Sequence, residues 1–156
     1  MENPILQYKR GVYIYIGIWV ALVLLDTGFL LYLNEFKAYV SITESLVLDS
    51  LLAVMGLIIW FPVYYTDLEK QGFLSTLFYH GVSGFVIIIL WLGACNFILI
   101  SAFSNVEGFS EYLKQTFIWR AIAGFFVYTV MALIYYLLIY FRNYRDQQIR
   151  ESELKN

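Results

Sequence analysis

The longest apolar stretch of the chain, Leu74 to Phe103, is LSTLFYHGVSGFVIIILWLGACNFILISAF, and it contains no formally charged residue. A helix rises 1.5 Å per residue and needs about 20 mostly apolar residues to cross a bilayer. Three further stretches have the same character. They span about 12–33, 46–65 and 117–141. The sequence therefore predicts an all-α fold, an integral membrane bundle of four transmembrane helices.

Composition leads to the same class of protein. Of the 156 residues, 61% are hydrophobic and 14% are charged, whereas soluble proteins are usually about 45–50% apolar. This excludes an ordinary soluble domain and makes the lipid bilayer the first expected partner. The net charge of −2 offers no basic patch, so we expect no nucleic-acid partner. Cys95 is the single cysteine, which excludes an intrachain disulfide.

The distribution of lysine and arginine predicts the orientation. Connections between the four stretches are short, so neighbouring helices are expected to be antiparallel and to form an up-down bundle. Positive charge is retained on the cytoplasmic side of a membrane. With both termini cytoplasmic, the inner side holds seven of the ten basic residues: Lys9, Arg10, Lys70, Arg142, Arg145, Arg150 and Lys155. The outer side holds Lys37, Lys114 and Arg120.

The segment that follows the fourth stretch is polar and favours a helix. Residues 142–156 are RNYRDQQIRESELKN, with no Gly or Pro to end the helix. We divide the chain into a transmembrane domain, 1–141, and a cytoplasmic helical stub, 142–156. The stub is either a frayed solvated tail or the start of a signalling helix, with Tyr140, Phe141, Arg142 and Tyr144 at the membrane exit.

Three ionisable residues are predicted at membrane depth, where each costs roughly 2.5–3.5 kcal/mol near the centre. Measured from the inner ends of their helices, Asp26 lies about 21 Å up, Asp49 about 24 Å and Arg120 about 31 Å. Asn96 lies about 33 Å up the third helix. We expect these four residues to form one polar cluster, because an arginine can fork two carboxylates.

The cluster has two interpretations. It either locks helix packing or lines a small outer cavity that binds a ligand. Alternatively, Glu44, Asp49 and Arg120 are interfacial charges that snorkel to water. Asp26 fits that alternative least well, because mostly apolar residues separate it from the end of its helix.

Two further positions invite a functional and a plainer interpretation. His80 most simply hydrogen bonds a neighbouring helix or the headgroups; haem held between two copies is a remote alternative, and a lone His with a lone Cys predicts no metal site. Pro62 is expected to kink the second helix, and a hinge at this position is the second possibility.

The chain contains no phosphate loop, no HExxH and no nucleophile with a base. We therefore predict no catalytic residue and no cofactor in this chain.

Several stretches resemble the four-helix N-terminal membrane region of the LytS-type sensor histidine kinases of Bacteroidetes. The Trp60-Phe61-Pro62 sequence resembles the end of the second helix in that family, and Trp119-Arg120 resembles the start of the fourth. The remaining similarity lies in Asp49 to Tyr65, Phe73 to Gly84, Trp91 to Gly93 and Ile118 to Leu154.

The resemblance implies a sensor and anchor module of a two-component system in the bacterial cytoplasmic membrane. It implies a homodimer whose fourth helix passes a signal to a cytoplasmic kinase. The phosphoacceptor and the ATP- and Mg-binding domain are expected beyond Asn156, and a response regulator would be their partner. His80 does not match the phosphoacceptor motif.

Two other classes remain open from the sequence. One is a small transporter or channel subunit that uses Asp26, Asp49 and Arg120 along its path. The other is a structural four-helix subunit of a larger membrane complex. Flux across a membrane would favour the first class, and a stoichiometric foreign partner would favour the second.

Overall fold

The computed structural model describes residues 3–33, 36–66 and 72–154. Five helices occupy these ranges: α1 Lys9–Leu33, α2 Ala38–Ile58, α3 Trp60–Tyr65, α4 Phe73–Ala102 and α5 Phe109–Leu154. Because α2 and α3 form one apolar span, Ala38–Tyr65, the described ranges contain four helical spans long and apolar enough to cross a membrane. The chain is an all-α, four-span membrane protein, as the sequence predicts.

Two helices begin about two turns before the apolar stretches that predict them. α2 begins at Ala38 rather than near Leu46, and α5 begins at Phe109 rather than near Phe117. The added turns contain polar residues that hydropathy counts against a span. Several of those residues face the interior of the bundle, where Ser41 and Glu44 are fully buried.

The helices pack in a definite order. α1 lies against α2, α2 contacts α4 and α5, and α4 packs along α5. We call the end of the bundle near residues 36–38 and 103–108 the loop end, and the opposite end, where Asn3 and Thr66 lie, the terminal end. Beyond the terminal end α5 continues to Leu154.

The core has three layers along the bundle. At the loop end Phe103 and Phe109 pack at 5.0 Å between ring centroids, with Leu99 and Leu113 beside them. The middle layer centres on Trp91, whose Nε1 donates to the Leu48 carbonyl at 3.0 Å. The terminal layer centres on Tyr135, which is fully buried. The bundle is therefore filled along its length.

Small residues allow close contact between α4 and α5 at two levels. A Cβ on Gly124 would lie 2.7 Å from Cζ3 of Trp91, and a Cβ on Gly84 would lie 3.2 Å from Tyr128. Close approach of backbones is the usual role of small residues between membrane helices. Gly81 and Gly93 have no neighbouring atom within 4 Å of such a Cβ.

The second span is interrupted at Ile59, three residues before Pro62. Proline has no N–H, so the Ile58 carbonyl loses its ordinary helical donor. Side chains bind the carbonyls of the two residues that precede Ile58. The Tyr135 hydroxyl donates to the Gly56 carbonyl at 3.1 Å, and Asn3 Nδ2 donates to the Leu57 carbonyl at 3.2 Å. Pro62 is itself buried, and its role as a hinge stays a prediction.

Candidate intramembrane polar site

A buried ion pair between α2 and α5 is the centre of the candidate site. Arg120 Nη2 donates to Glu44 Oε1, and the side chains are 9% and 0% exposed. The Tyr112 hydroxyl donates to the same Glu44 oxygen at 3.1 Å. The Arg120 guanidinium carbon also lies 5.5 Å from the centroid of the Tyr112 ring, within the range of a cation–π contact.

Helical periodicity explains how these side chains meet. The buried face of α2 carries Ser41, Glu44, Ser45, Leu48 and Leu52 at the three- and four-residue spacing of one helix face. On α5, Leu113, Arg120 and Gly124 are buried on one face. The buried faces of the two helices therefore bring a carboxylate and a guanidinium together near the loop end.

The four residues of the predicted polar cluster lie in the same half of the bundle, but they are not one hydrogen-bonded unit. Among the described residues, no direct hydrogen bond joins any two of Asp26, Asp49, Asn96 and Arg120. Asp26 is half-buried on α1 and interacts electrostatically with Arg120, Glu44 and Asp49. The direct partner of Arg120 is Glu44.

Glu44 and Tyr112 are the two site residues that the sequence prediction missed. Glu44 enters the sequence analysis only in the alternative interpretation, as an interfacial charge that snorkels to water, and the full burial of its side chain excludes that interpretation for Glu44. A signal for it exists in the sequence: Glu44 lies four residues before Leu48 and eight before Leu52, on the apolar face of the helix. Tyr112 carries no comparable signal, because aromatic residues are common throughout this chain.

Several polar atoms near this site have no hydrogen-bond partner among the described residues. They are Ser41 Oγ, Glu44 Oε2, Asp49 Oδ2, Asn96 Oδ1 and Arg120 Nη1, all buried. Most buried polar atoms in folded proteins are hydrogen bonded. The set contains both donors and acceptors, so the region can form more polar contacts than its own side chains supply.

Two hydrogen bonds hold α1 against α2 beside the site. The hydroxyls of Thr27 and Ser45 bond to one another, and the Tyr15 hydroxyl donates to the Ala53 carbonyl at 2.5 Å. Trp19 is the buried residue of α1. These contacts keep Asp26 on the side of α1 from which it interacts with Arg120.

A second polar group lies near the terminal end. His80 on α4 hydrogen bonds two tyrosines of α5. Its Nδ1 lies 2.9 Å from the Tyr128 hydroxyl, and its Nε2 lies 2.7 Å from the Tyr136 hydroxyl. The prediction that His80 hydrogen bonds a neighbouring helix is confirmed. The Thr66 hydroxyl, which interacts with the Tyr136 hydroxyl, donates to the Pro62 carbonyl at 2.6 Å. The group thus joins α4 and α5 to the segment after α3.

The predicted membrane exit lies on the exposed part of α5. Tyr140 stacks on Tyr144 with ring centroids 6.5 Å apart, and it contacts Phe141 at 6.0 Å. Arg142 is half-buried beside them. The four residues lie on one unbroken helix, and their part in signalling stays a prediction.

Comparison with known proteins identifies no relative: no family model, no curated protein and no solved structure matches this chain. Across the described ranges, no group of three or more His, Cys, Asp and Glu side chains is arranged to hold a metal ion. The fold and the site define a multi-pass, four-helix membrane protein with a buried ion pair between its second and last spans.

Proposed function

We propose that this protein is a membrane input module that passes a change in its intramembrane polar site along α5 to a cytoplasmic kinase. The resemblance to LytS-type sensor histidine kinases suggests the kinase and a homodimeric assembly. The expected location is the bacterial cytoplasmic membrane, with both termini inside. ATP and Mg would bind only to the kinase domain, and the response regulator would contact that domain.

The observation that carries this proposal is the continuity of α5. Its 46 residues, Phe109–Leu154, extend about 69 Å at 1.5 Å per residue, far more than the roughly 30 Å core of a bilayer. Arg120, near one end, contacts Glu44, and the polar stub lies at the other end without an interruption. A shift or rotation at Arg120 would therefore reach the stub through a rigid rod.

The direct test is the coding sequence downstream of Asn156. We expect the frame to continue into a phosphoacceptor helix and an ATP-binding domain. A stop codon at that point would contradict the kinase assignment and favour a free-standing structural subunit or a transporter.

A phase test examines the mechanism. One residue inserted after Phe141 rotates everything beyond it by about 100°, and four residues restore nearly the original facing because a turn has 3.6 residues. We expect autophosphorylation of the full-length protein to change with one inserted residue and to recover with four. If both insertions changed autophosphorylation to the same extent, or if neither changed it, the result would contradict transmission by helix rotation.

A small transporter or channel subunit is the second candidate, favoured by the excess of acidic groups around one arginine. Asp26, Glu44 and Asp49 supply three carboxyl groups to a region in which Arg120 is the basic residue. Flux through proteoliposomes that disappears in Asp26→Asn would support this candidate. Absence of flux for protons and monovalent cations would exclude a path for these ions.

A further inference from the structure

A groove of about 450 Å³ lies between α1 and α2, and neither residue of the buried ion pair lines it. Its walls are mostly apolar. They include Trp19, Val20, Leu24, Leu46 and Ala53, and one acidic residue, Asp49. The volume falls within the roughly 300–1,000 Å³ typical of small-molecule sites. Because both helices belong to the membrane-spanning bundle, an occupant would come from the lipid phase.

Asp49 gives the groove its charge preference. It lies near the middle of the span Ala38–Tyr65, about 16 Å from the Ala38 end. Its Oδ2 is buried and has no hydrogen-bond partner in the part of the chain that the structure describes. Asp49 interacts electrostatically with Asp26, which carries a charge of the same sign. The basic residue Arg120 is already bonded to Glu44. A positive charge in the groove would compensate Asp49, and an anion would be repelled.

The aromatic residues of the groove fit the same kind of ligand. Tyr15 and Trp19 both line it, and their rings meet edge to face at 6.0 Å between centroids. Tyr15 uses its hydroxyl to bond the Ala53 carbonyl, so its ring is held in place. Aromatic faces attract cations, and they do so most strongly where water is absent. Apolar walls, ring faces and one carboxyl group together match a bulky organic cation.

We propose that the groove between α1 and α2 binds a hydrophobic monovalent cation of the quaternary ammonium or phosphonium class, with Asp49 as its counter-ion. The apolar walls take the substituents of the cation, and Trp19 and Tyr15 contact its charged centre. This inference does not depend on a kinase. Binding and the continuation of the reading frame past Asn156 are separate results, and either can fail without the other.

The test uses tetraphenylphosphonium and tetraphenylborate, two ions of similar size and shape but opposite charge. Each is titrated by equilibrium dialysis against the whole protein in lipid nanodiscs, with protein-free nanodiscs as the reference. We expect saturable binding of tetraphenylphosphonium above that reference and none of tetraphenylborate. Uptake of tetraphenylphosphonium equal to that of the protein-free nanodiscs would show that partition into lipid is the only process, and would overturn the proposal.

Three variants assign the binding to Asp49. Asp49→Asn is expected to weaken tetraphenylphosphonium binding by about tenfold or more, because it removes a charge pair from a medium of low dielectric constant. Asp49→Glu keeps the charge and should retain binding, which also covers the case in which the asparagine variant fails to fold. Asp146→Asn removes an acid from the stub and should bind as the unaltered protein does. Unchanged binding in Asp49→Asn would overturn the assignment.

Discussion

At the scale of single residues, the ion pair between Glu44 and Arg120 is the most consequential contact in the protein. Each partner makes the other tolerable at membrane depth, where an isolated charge is costly. Removing one partner leaves the other buried and uncompensated, and such losses destabilise proteins by about 3–5 kcal/mol. Removing both charges leaves no isolated charge at all.

We therefore predict that Glu44→Gln and Arg120→Gln each destabilise the protein by about 3–5 kcal/mol, and that the double variant recovers most of the loss. Unfolding in mixed detergent micelles would measure all three. The matched control is the exposed pair of Lys114 and Glu111, 3.6 Å apart on α5, for which Glu111→Gln should cost less than about 1 kcal/mol. Additive losses in the double variant would mean that the two charges are not coupled.

Sequence reasoning found one half of this pair and not the other. Arg120 and Asp26 stand out because each is an ionisable residue within a long, mostly apolar stretch. Glu44 is flanked by Thr43 and Ser45, so hydropathy assigns it to a polar segment outside the membrane. Which carboxylate pairs with Arg120 depends on the relative rotation and height of two helices distant in sequence, and no local pattern contains that information.

At the scale of the helices, the closer of the two glycine contacts between α4 and α5 is the one at Gly124. A Cβ on Gly124 would lie 2.7 Å from Cζ3 of Trp91. Trp91 cannot easily move aside, because its indole N–H is bonded to the Leu48 carbonyl on α2. The Trp91 side chain on α4 therefore contacts both α2 and α5.

We predict that Gly124→Ala destabilises the bundle by about 1–3 kcal/mol through overpacking, measured by thermal unfolding in detergent. Gly93→Ala is the matched control, since nothing lies within 4 Å of its Cβ and alanine favours a helix over glycine by up to about 1 kcal/mol. An equal effect of the two variants would show that helix propensity, and not the contact with Trp91, decides the outcome.

Helix number and type were predictable because each span contains far more apolar residues than chance would provide. The starts of α2 and α5 were not predictable from hydropathy, since their first turns carry Ser41, Glu44 and Glu111. Burial of polar residues depends on partners that a window of one helix does not include. The break at Ile59 was predictable in kind, because Pro62 must leave a carbonyl without its donor.

At the scale of the whole molecule, the division of basic residues predicts which end of the bundle faces the cytoplasm. In the structure Asn3 and the α5 stub both belong to the terminal end. The loop end carries the exposed residue Asn105, and the stub carries the exposed residue Gln148. These two positions lie on opposite sides of the predicted membrane.

We predict that Asn105→Cys reacts with a membrane-impermeant maleimide in intact cells, whereas Gln148→Cys reacts only after the membrane is opened. Cys95 is fully buried, so the unaltered protein should remain unlabelled and serves as the control. The reverse pattern of labelling would place both termini outside and would exclude a cytoplasmic partner for the stub.

The order in which the chain is made has a consequence for the ion pair. Glu44 precedes Arg120 by 76 residues, which takes about 4–15 s at the usual rate of synthesis. During that interval the ribosome has synthesised Asp26, Glu44 and Asp49 but not yet Arg120. Only the last helix to be inserted supplies the missing charge. Assembly of the bundle must therefore wait for α5, and a chain truncated before it retains its acidic groups without their counter-ion.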